Sequence, residues 1–339
     1  MLSSALEKAN LFNNFIDKAK LPDMDKLPKM SDTSVQPNKL LSSVPITEEI
    51  IESIVKSLPV RKANGPDNLS NRLLKEGIPA ISKSLCSLFN ASLTSGKVPQ
   101  IWKQANVTPV FKSKGSKQDK SNYRPISLLS NVGKLLERIV FKAVYNFCIE
   151  NGLLTWRNSG YKPKDSTINQ LLVITHKIYQ ALENGQDYCF VSLDATAAFD
   201  RVWHKGLIYK LKKIGISGKL LSWFKNYLKD RKQRVVIEGQ TSEYITIRCG
   251  VPQGSILGPL LFLIYFNDIT EDLQTESFLF ADDTALCKSL TTDNIEIDFS
   301  DLNDDLQVIN NWGKQWLVNF NPIKIASEMP RPHSLCEHQ

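Results

Sequence analysis

Histidine and cysteine are scarce in this 339-residue chain, with four of the first and six of the second. The histidines are scattered without metal-ligand spacing, and no two of Cys86, Cys148, Cys189, Cys249, Cys287 and Cys336 are spaced as CxxC. A zinc site is therefore not indicated. Most of the cysteines lie inside apolar runs, which argues against a disulfide framework and for a reducing compartment. Long hydrophobic runs are also missing: the most apolar stretch, 256–266, contains Gly258 and Pro259 and is too short to span a bilayer. The N-terminus is polar and mixed in charge, unlike a secretory signal, and nothing repeats at a fixed period. Neither sign of charge dominates. The net +7 permits an anionic partner without demanding one. What remains, 42% hydrophobic and 23% charged, is the composition of a globular protein of one large or two modest domains.

Against this background one stretch stands out. Apolar residues from Ser277 to Ala281 run into Asp282 and Asp283, and a second apolar run follows. The pattern reads as strand, tight turn, strand, with two carboxylates at the tip. Aspartate is a favoured turn residue and needs no chemistry to be there. The alternative is that the pair forms part of a divalent-metal site, which requires a third carboxylate and a phosphate-bearing substrate. Asp194 meets the first requirement, because it ends the near-continuous apolar strand 188–193, as a buried central strand would. Its plain role would be to cap the helix that follows.

A source of cations lies upstream. The strand 107–111 runs through a loop containing Lys112 and Lys114 and returns over 122–128 with Arg124. Two such arms could close on a triphosphate through charge-assisted hydrogen bonds, or simply be a solvated basic loop. The decapeptide 250–259 holds three glycines and two prolines, the mark of a shaped loop that a ligand or another backbone approaches closely. Basic turns occur at Arg61-Lys62 and at Lys162-Pro163-Lys164, and a basic run, Lys225 to Arg234, could touch a nucleic-acid backbone or face solvent. Helices are expected at 5–16, at 47–58 behind a Thr47 cap, at 81–93, at 131–151 with Asn131 as cap, at 168–182 facing the core, on either side of 215–218, at 260–267, and through Leu302, Ile309 and Trp316. Asp200 reads as a structural carboxylate.

Taken in order, the segments Asn122-Tyr-Arg-Pro-Ile-Ser-Leu128, Leu193-Asp-x4-Phe-Asp200, Gly250-Val-Pro-Gln-Gly-Ser255 and Phe280-Ala-Asp-Asp283 resemble the reverse transcriptase domain of non-LTR (LINE-type, Jockey-like) retrotransposons. The resemblance covers nearly all of 5–329. It implies an α+β fold of right-hand polymerase type, fingers and palm, with an antiparallel palm sheet packed on helices. The division it implies is an N-terminal linker or extension at 1–45, fingers at 46–187, palm at 188–329 and a non-family tail at 330–339. By the same resemblance Asp194, Asp282 and Asp283 hold two Mg²⁺ (Mn²⁺ as a substitute). Lys112, Lys114 and Arg124 hold the incoming dNTP, and Phe199 excludes a ribose 2′-hydroxyl. Gln253 and Gly254 lie along nucleotide and template, and Lys324 is a late palm lysine. Arg61, Lys62, Lys162 and Lys164 are expected on nucleic acid.

The implied partners are an RNA template, a DNA primer and dNTPs, with no membrane and no redox cofactor, and the implied place of action is intracellular, in the nucleus. Ala195-Thr196-Ala197 departs from the Ser-Lys common after the first Asp, and Tyr161 to Asp165 departs from Phe-Arg and a further basic residue. No thumb follows, so the expectation is a truncated copy or gene model, with an inactive remnant that at most binds nucleic acid as the competing outcome. A metal-dependent nuclease would use similar carboxylates but would need neither Phe199 nor the glycine loop.

Overall fold

The computed structural model describes residues 4–17, 39–291, 294–321 and 326–328. In chain order the elements are α1 (Ala5–Asp17), α2 (Glu48–Ser57), α3 (Asn71–Ser95), β1 (Gln104–Phe111), β2 (Tyr123–Leu128), α4 (Asn131–Glu150), α5 (Thr167–Glu183), β3 (Asp187–Asp194), α6 (His204–Lys213), α7 (Gly218–Leu228), β4 (Arg231–Ile237), β5 (Gln240–Thr241), β6 (Ile245–Ile247), α8 (Leu257–Phe266), β7 (Glu276–Phe280), β8 (Asp283–Leu290), α9 (Ile295–Trp316) and β9 (Ala326–Glu328). Helices and sheets are mixed, in two compact units that each take two pieces of chain. Met1–Leu153 joins Phe199–Leu261, and Leu154–Ala198 joins Phe262–Gln339.

In the first unit β2, β1 and β4 lie side by side, and β5 and β6 both pair with β4. β1 and β2 form the expected antiparallel hairpin, with Val110 opposite Arg124, whereas β1 and β4 run parallel. Helix α1 packs on this sheet. Ala9 is fully buried with Val107 and Val235, and Phe12 and Ile16 lie against them, so the segment read as an extension opens with a helix that closes a core. Thr47 caps α2 as expected, its hydroxyl accepting from the Ile50 amide.

Three local readings change. Helix α3 starts at Asn71, not at 81, because the Ser70 hydroxyl caps it by accepting from Leu73, and its chain runs on through Pro79. Pro79 removes one backbone donor, but the buried stripe Leu74, Ile78, Leu85 and Phe89 holds both halves in one helix. Helix α4 is capped by Ser130, one residue before Asn131, whose side chain donates instead to the Leu69 carbonyl. Arg231 is not a surface cation: it is 1% exposed, lies over the Tyr227 ring and donates to the Tyr227 carbonyl.

The second unit is a four-stranded antiparallel sheet in the order β7-β8-β3-β9. Tyr188, Phe278, Ala285 and Cys287 pack with Ala181 of α5, and α9 turns Leu302, Ile309, Trp312 and Trp316 inward. Asp305 on α9, 1% exposed, accepts from the amides of Gln274 and Thr275 and so fixes the entry to β7. Helix α5 is less covered than its pattern predicts. Gln170 and Ala181 are buried, but Ile168, Leu172 and Tyr179 are exposed to 68%, 64% and 62%. Apolar spacing identifies a helix face without specifying what covers it. No helix among the described residues is long and apolar enough to cross a membrane, and no disulfide joins the five described cysteines.

Candidate active site

The second unit brings the expected carboxylates to one end of its sheet. β3 and β8 pair in a register that sets Asp194 directly opposite Asp283. Antiparallel partners project to the same face, with Cβ atoms about 5 Å apart, and like charges so placed repel. Asp282 sits in the turn just before Asp283, between strands that pair Phe280 with Asp283. The far side of β3 is held as well, since Asn321 donates its amide to the Asp194 carbonyl at 2.8 Å and Thr196 donates to Asn319 at 2.8 Å.

Among the described residues, no three His, Cys, Asp or Glu side chains converge into a metal cage. By donor type alone, carboxylate oxygens such as those of Asp194, Asp282 and Asp283 suit a hard cation and not a soft metal.

The turn carrying Asp282 has an unusual backbone. Ala281 adopts φ +61°, while its amide points at the Oδ1 of Asn158, 3.4 Å away. Asn158 is 2% exposed, and the same Oδ1 accepts from Gly160 at 2.8 Å. Tyr161 follows, also with positive φ (57°). Burial, and then the charges of Asp282 and Asp283, push its phenol above the ordinary value. None of Asn158, Gly160 and Tyr161 was a sequence candidate. Asn-Ser-Gly reads only as turn chemistry, and the partner lies 123 residues away.

The first unit holds the other candidates. Lys112, Lys114 and Arg124 are exposed on the β1–β2 hairpin. Lys112 donates to the Ser121 carbonyl at 2.8 Å. The loop between the strands closes on itself through Asn122 to the Ser116 carbonyl and Tyr123 to the Lys117 carbonyl. Around the glycine loop, Phe199 is half-buried and its carbonyl accepts from Val251. Gln253 is fixed at both ends: its carbonyl accepts from Ser127 at 2.7 Å and its Nε2 donates to Asp200 Oδ1 at 3.0 Å. Asp200 is thus a partner of Gln253. Burial pushes its carboxyl up to about 6, against the opposing effect of the Gln253 bond.

Gly254 has φ +123°, and a Cβ there would lie 2.4 Å from the Ser127 carbonyl oxygen, which is why this position needs glycine. Downstream, buried Glu137 accepts from Tyr227 Oη at 3.0 Å and from the Ile256 and Leu257 amides at 2.7 and 3.3 Å. That ties the loop's exit to α4, and only the structure shows it.

Of the residues expected on nucleic acid, Arg61, Lys62 and Lys164 are exposed. Lys162 is half-buried, donates to the Thr155 carbonyl at 2.5 Å, and burial lowers its pKa. Lys324 lies outside the described residues.

Comparison with known proteins gives the family of the chain. The family signature described as reverse transcriptase (RNA-dependent DNA polymerase) matches residues 113–334. The chain is 33% identical over 335 residues to a probable RNA-directed DNA polymerase from transposon BS of Drosophila melanogaster, covering 94% of this chain and 36% of that protein. It is 29% identical over 339 residues to the RNA-directed DNA polymerase from mobile element jockey of the same fly, covering 96% and 36%. A solved structure of apo telomerase from Candida tropicalis, truncated from its C-terminal domain, has a TM-score of 0.49 at 14% identity, covering 75% of this chain and 56% of that one. The chain spans about a third of the length of the curated relatives it matches. With Arg124, Asp194, Gln253, Asp282 and Asp283 all inside the matched region, the chain belongs to the reverse transcriptase (RNA-dependent DNA polymerase) family, alongside the polymerases of jockey-like non-LTR elements.

Proposed function

We propose that the chain works as the fingers and palm of an RNA-directed DNA polymerase of a mobile element, adding dNTPs to a DNA primer on an RNA template. The observation that carries this reading is the antiparallel pairing of Asp194 with Asp283, with Asp282 beside it in the turn. These three carboxylates would hold the divalent ions. Bound there, Mg²⁺ supplies Lewis-acid activation of the primer 3′-hydroxyl and charge neutralisation on the departing pyrophosphate.

The remaining roles belong to the chain's own side chains, assigned from the family motifs they match. Lys112, Lys114 and Arg124 bind the triphosphate. Phe199 lies under the sugar and rejects a 2′-hydroxyl. Gln253 and Gly254, held by Asp200 and Ser127, present a preset surface to nucleotide and template. Lys324 serves as the late palm lysine. Arg61, Lys62, Lys162 and Lys164 contact nucleic-acid backbone, and template sequence is read by base pairing. The expected place of action is the nucleus.

The test is primer extension on an RNA template with all four dNTPs, with and without Mg²⁺, comparing the chain with Asp282→Asn. Metal-dependent extension by the first and a loss of at least about 100-fold in the second is the expected outcome, in the range found when charge-stabilising groups are removed from active sites. Equal incorporation by both would sink the carboxylate assignment. No incorporation by either would overturn polymerase activity for this chain and favour an inactive remnant.

A further inference from the structure

Beyond the three carboxylates, the second unit contains a device whose geometry bears on them directly. β7 is an edge strand of its sheet, but the edge is not bare. Residue 158 forms a parallel bridge with Leu279, through a bond from the Leu279 amide to the Arg157 carbonyl at 2.9 Å and one from the Ser159 amide to the Leu279 carbonyl at 3.0 Å. The same Leu279 carbonyl takes a second donor, the Nε2 of buried Gln170 on α5, at 2.9 Å. Arg157 adds a bond to Ser277 Oγ at 2.7 Å. Residues 157–160 thus lie along the strand that leads into the Asp282 turn.

The turn itself needs such support. Its first central residue, Ala281, has φ +61°, while Asp282 is not among the residues of positive φ. That is the sign pattern of a II′ hairpin turn, which ordinarily takes glycine first. A left-handed alanine costs about 1–2 kcal/mol and persists only where its surroundings fix it. Here the fixing contact is Asn158, whose one oxygen accepts from both Gly160 and Ala281. Gly160 permits the approach: a Cβ on it would lie 2.1 Å from the Ala281 nitrogen and 2.8 Å from its Cα. A side chain at 160 and a bonded Asn158–Ala281 pair are mutually exclusive.

We propose that Asn158, with Gly160, is the positioning element that fixes the Asp282–Asp283 turn in its working geometry. The proposal rests on the polymerase reading for its consequence in catalysis, but not for its structural content. Asn158 acts through the Ala281 amide and is a positioning residue. Its oxygen orients one turn of backbone and thereby two carboxylates.

The experiment uses the full chain and three variants: Asn158→Ala, which removes the acceptor, Asn158→Asp, which keeps it, and Gly160→Ala, which blocks the approach. Hydrogen exchange across 278–284 reads the turn, Mn²⁺ binding by electron paramagnetic resonance reads the carboxylates with Asp282→Asn as reference, and primer extension reads kcat and the KM for dNTP. In Asn158→Ala and Gly160→Ala, exchange should rise locally in the turn and stay at the wild-type rate elsewhere. Mn²⁺ binding should weaken about 10-fold and kcat fall about 10–100-fold with KM little changed, the loss expected when a group that orients metal ligands is removed. Asn158→Asp should restore most of each. Wild-type exchange and Mn²⁺ binding in Asn158→Ala would overturn the proposal, as would a loss spread over the whole chain and not rescued by aspartate. Local opening of the turn in Asn158→Ala, in a chain whose wild type neither binds Mn²⁺ nor extends a primer, would support the clamp and refute the polymerase reading.

Discussion

Replacing Asp200 by asparagine should make the protein more stable at pH 8 than at pH 5 relative to wild type. Burial raises the Asp200 carboxyl from its ordinary 3.8 to about 6. Between those values the folded chain binds a proton that the unfolded chain has released. Stability therefore falls as pH rises through that window and stays reduced above it. A gap of about two pH units corresponds to about 3 kcal/mol at most. Because Asp200 as a residue is only half-buried, water should screen the effect to roughly half that, about 1.5 kcal/mol. A folded unit of about 200 residues gains roughly 2–4 °C in Tm per kcal/mol, so the whole expected gain is about 3–6 °C, of which about half accrues between pH 5 and pH 8. Asparagine keeps an oxygen to accept from Gln253 Nε2, so that bond survives the change. His204, half-buried with its ring against the Gly250 carbonyl, shifts the other way. Its pKa is lowered by burial, so it costs stability as pH falls below its ordinary 6.5, but it is common to both proteins and cancels in the difference. The assay is the Tm of Asp200→Asn minus that of wild type between pH 5 and pH 8. A difference that does not grow with pH, or that grows toward acid, refutes the assignment of a desolvated carboxylate beside the glycine loop.

Two other changes probe the same region. Glu137→Ala leaves the Tyr227 hydroxyl and the Ile256 and Leu257 amides without their acceptor. At about 1–3 kcal/mol per abandoned buried donor, and allowing for incomplete additivity, the expected loss in urea unfolding is about 4 kcal/mol, and a loss under about 1 would contradict the network. Phe199→Ala should raise incorporation of ribonucleotides over deoxyribonucleotides in single-nucleotide extension, and unchanged sugar discrimination in an active chain would remove Phe199 from that role.

Much of the sheet framework could be read from pattern alone. The hairpin around Asp282 and the strand ending in Asp194 are visible because alternation and length separate strands from helices, and because turn residues bracket them. The pairing of Asp194 with Asp283 was only a supposition until the register was known, since register is set by burial of one face. The first turns of α3 are hidden from pattern because Gly77 and Pro79 look like punctuation, and propensity is a weak prior against a buried stripe such as Leu74, Ile78, Leu85 and Phe89. Arg231 was misplaced because a run of cations says nothing about which one lies over a tyrosine ring. Asn158 was invisible for a deeper reason. Its role rests on one amide 123 residues away and on the absence of a Cβ at 160, and neither leaves a local signature.

The register of β3 also has a consequence in time. Asp194 pairs with Asp283, 89 residues later (283 − 194), and β9 pairs with the same strand from still further along the chain. At about 5–20 residues per second during synthesis, β3 waits roughly 5–20 s for its first partner. Throughout that interval Tyr188, Cys189, Val191 and Leu193, all buried in the finished sheet, have no neighbouring strand from this sheet. The two aspartates of the hairpin, by contrast, are born together with the turn that holds them. The strand bearing the solitary carboxylate is therefore the one of this sheet that waits longest for its first partner.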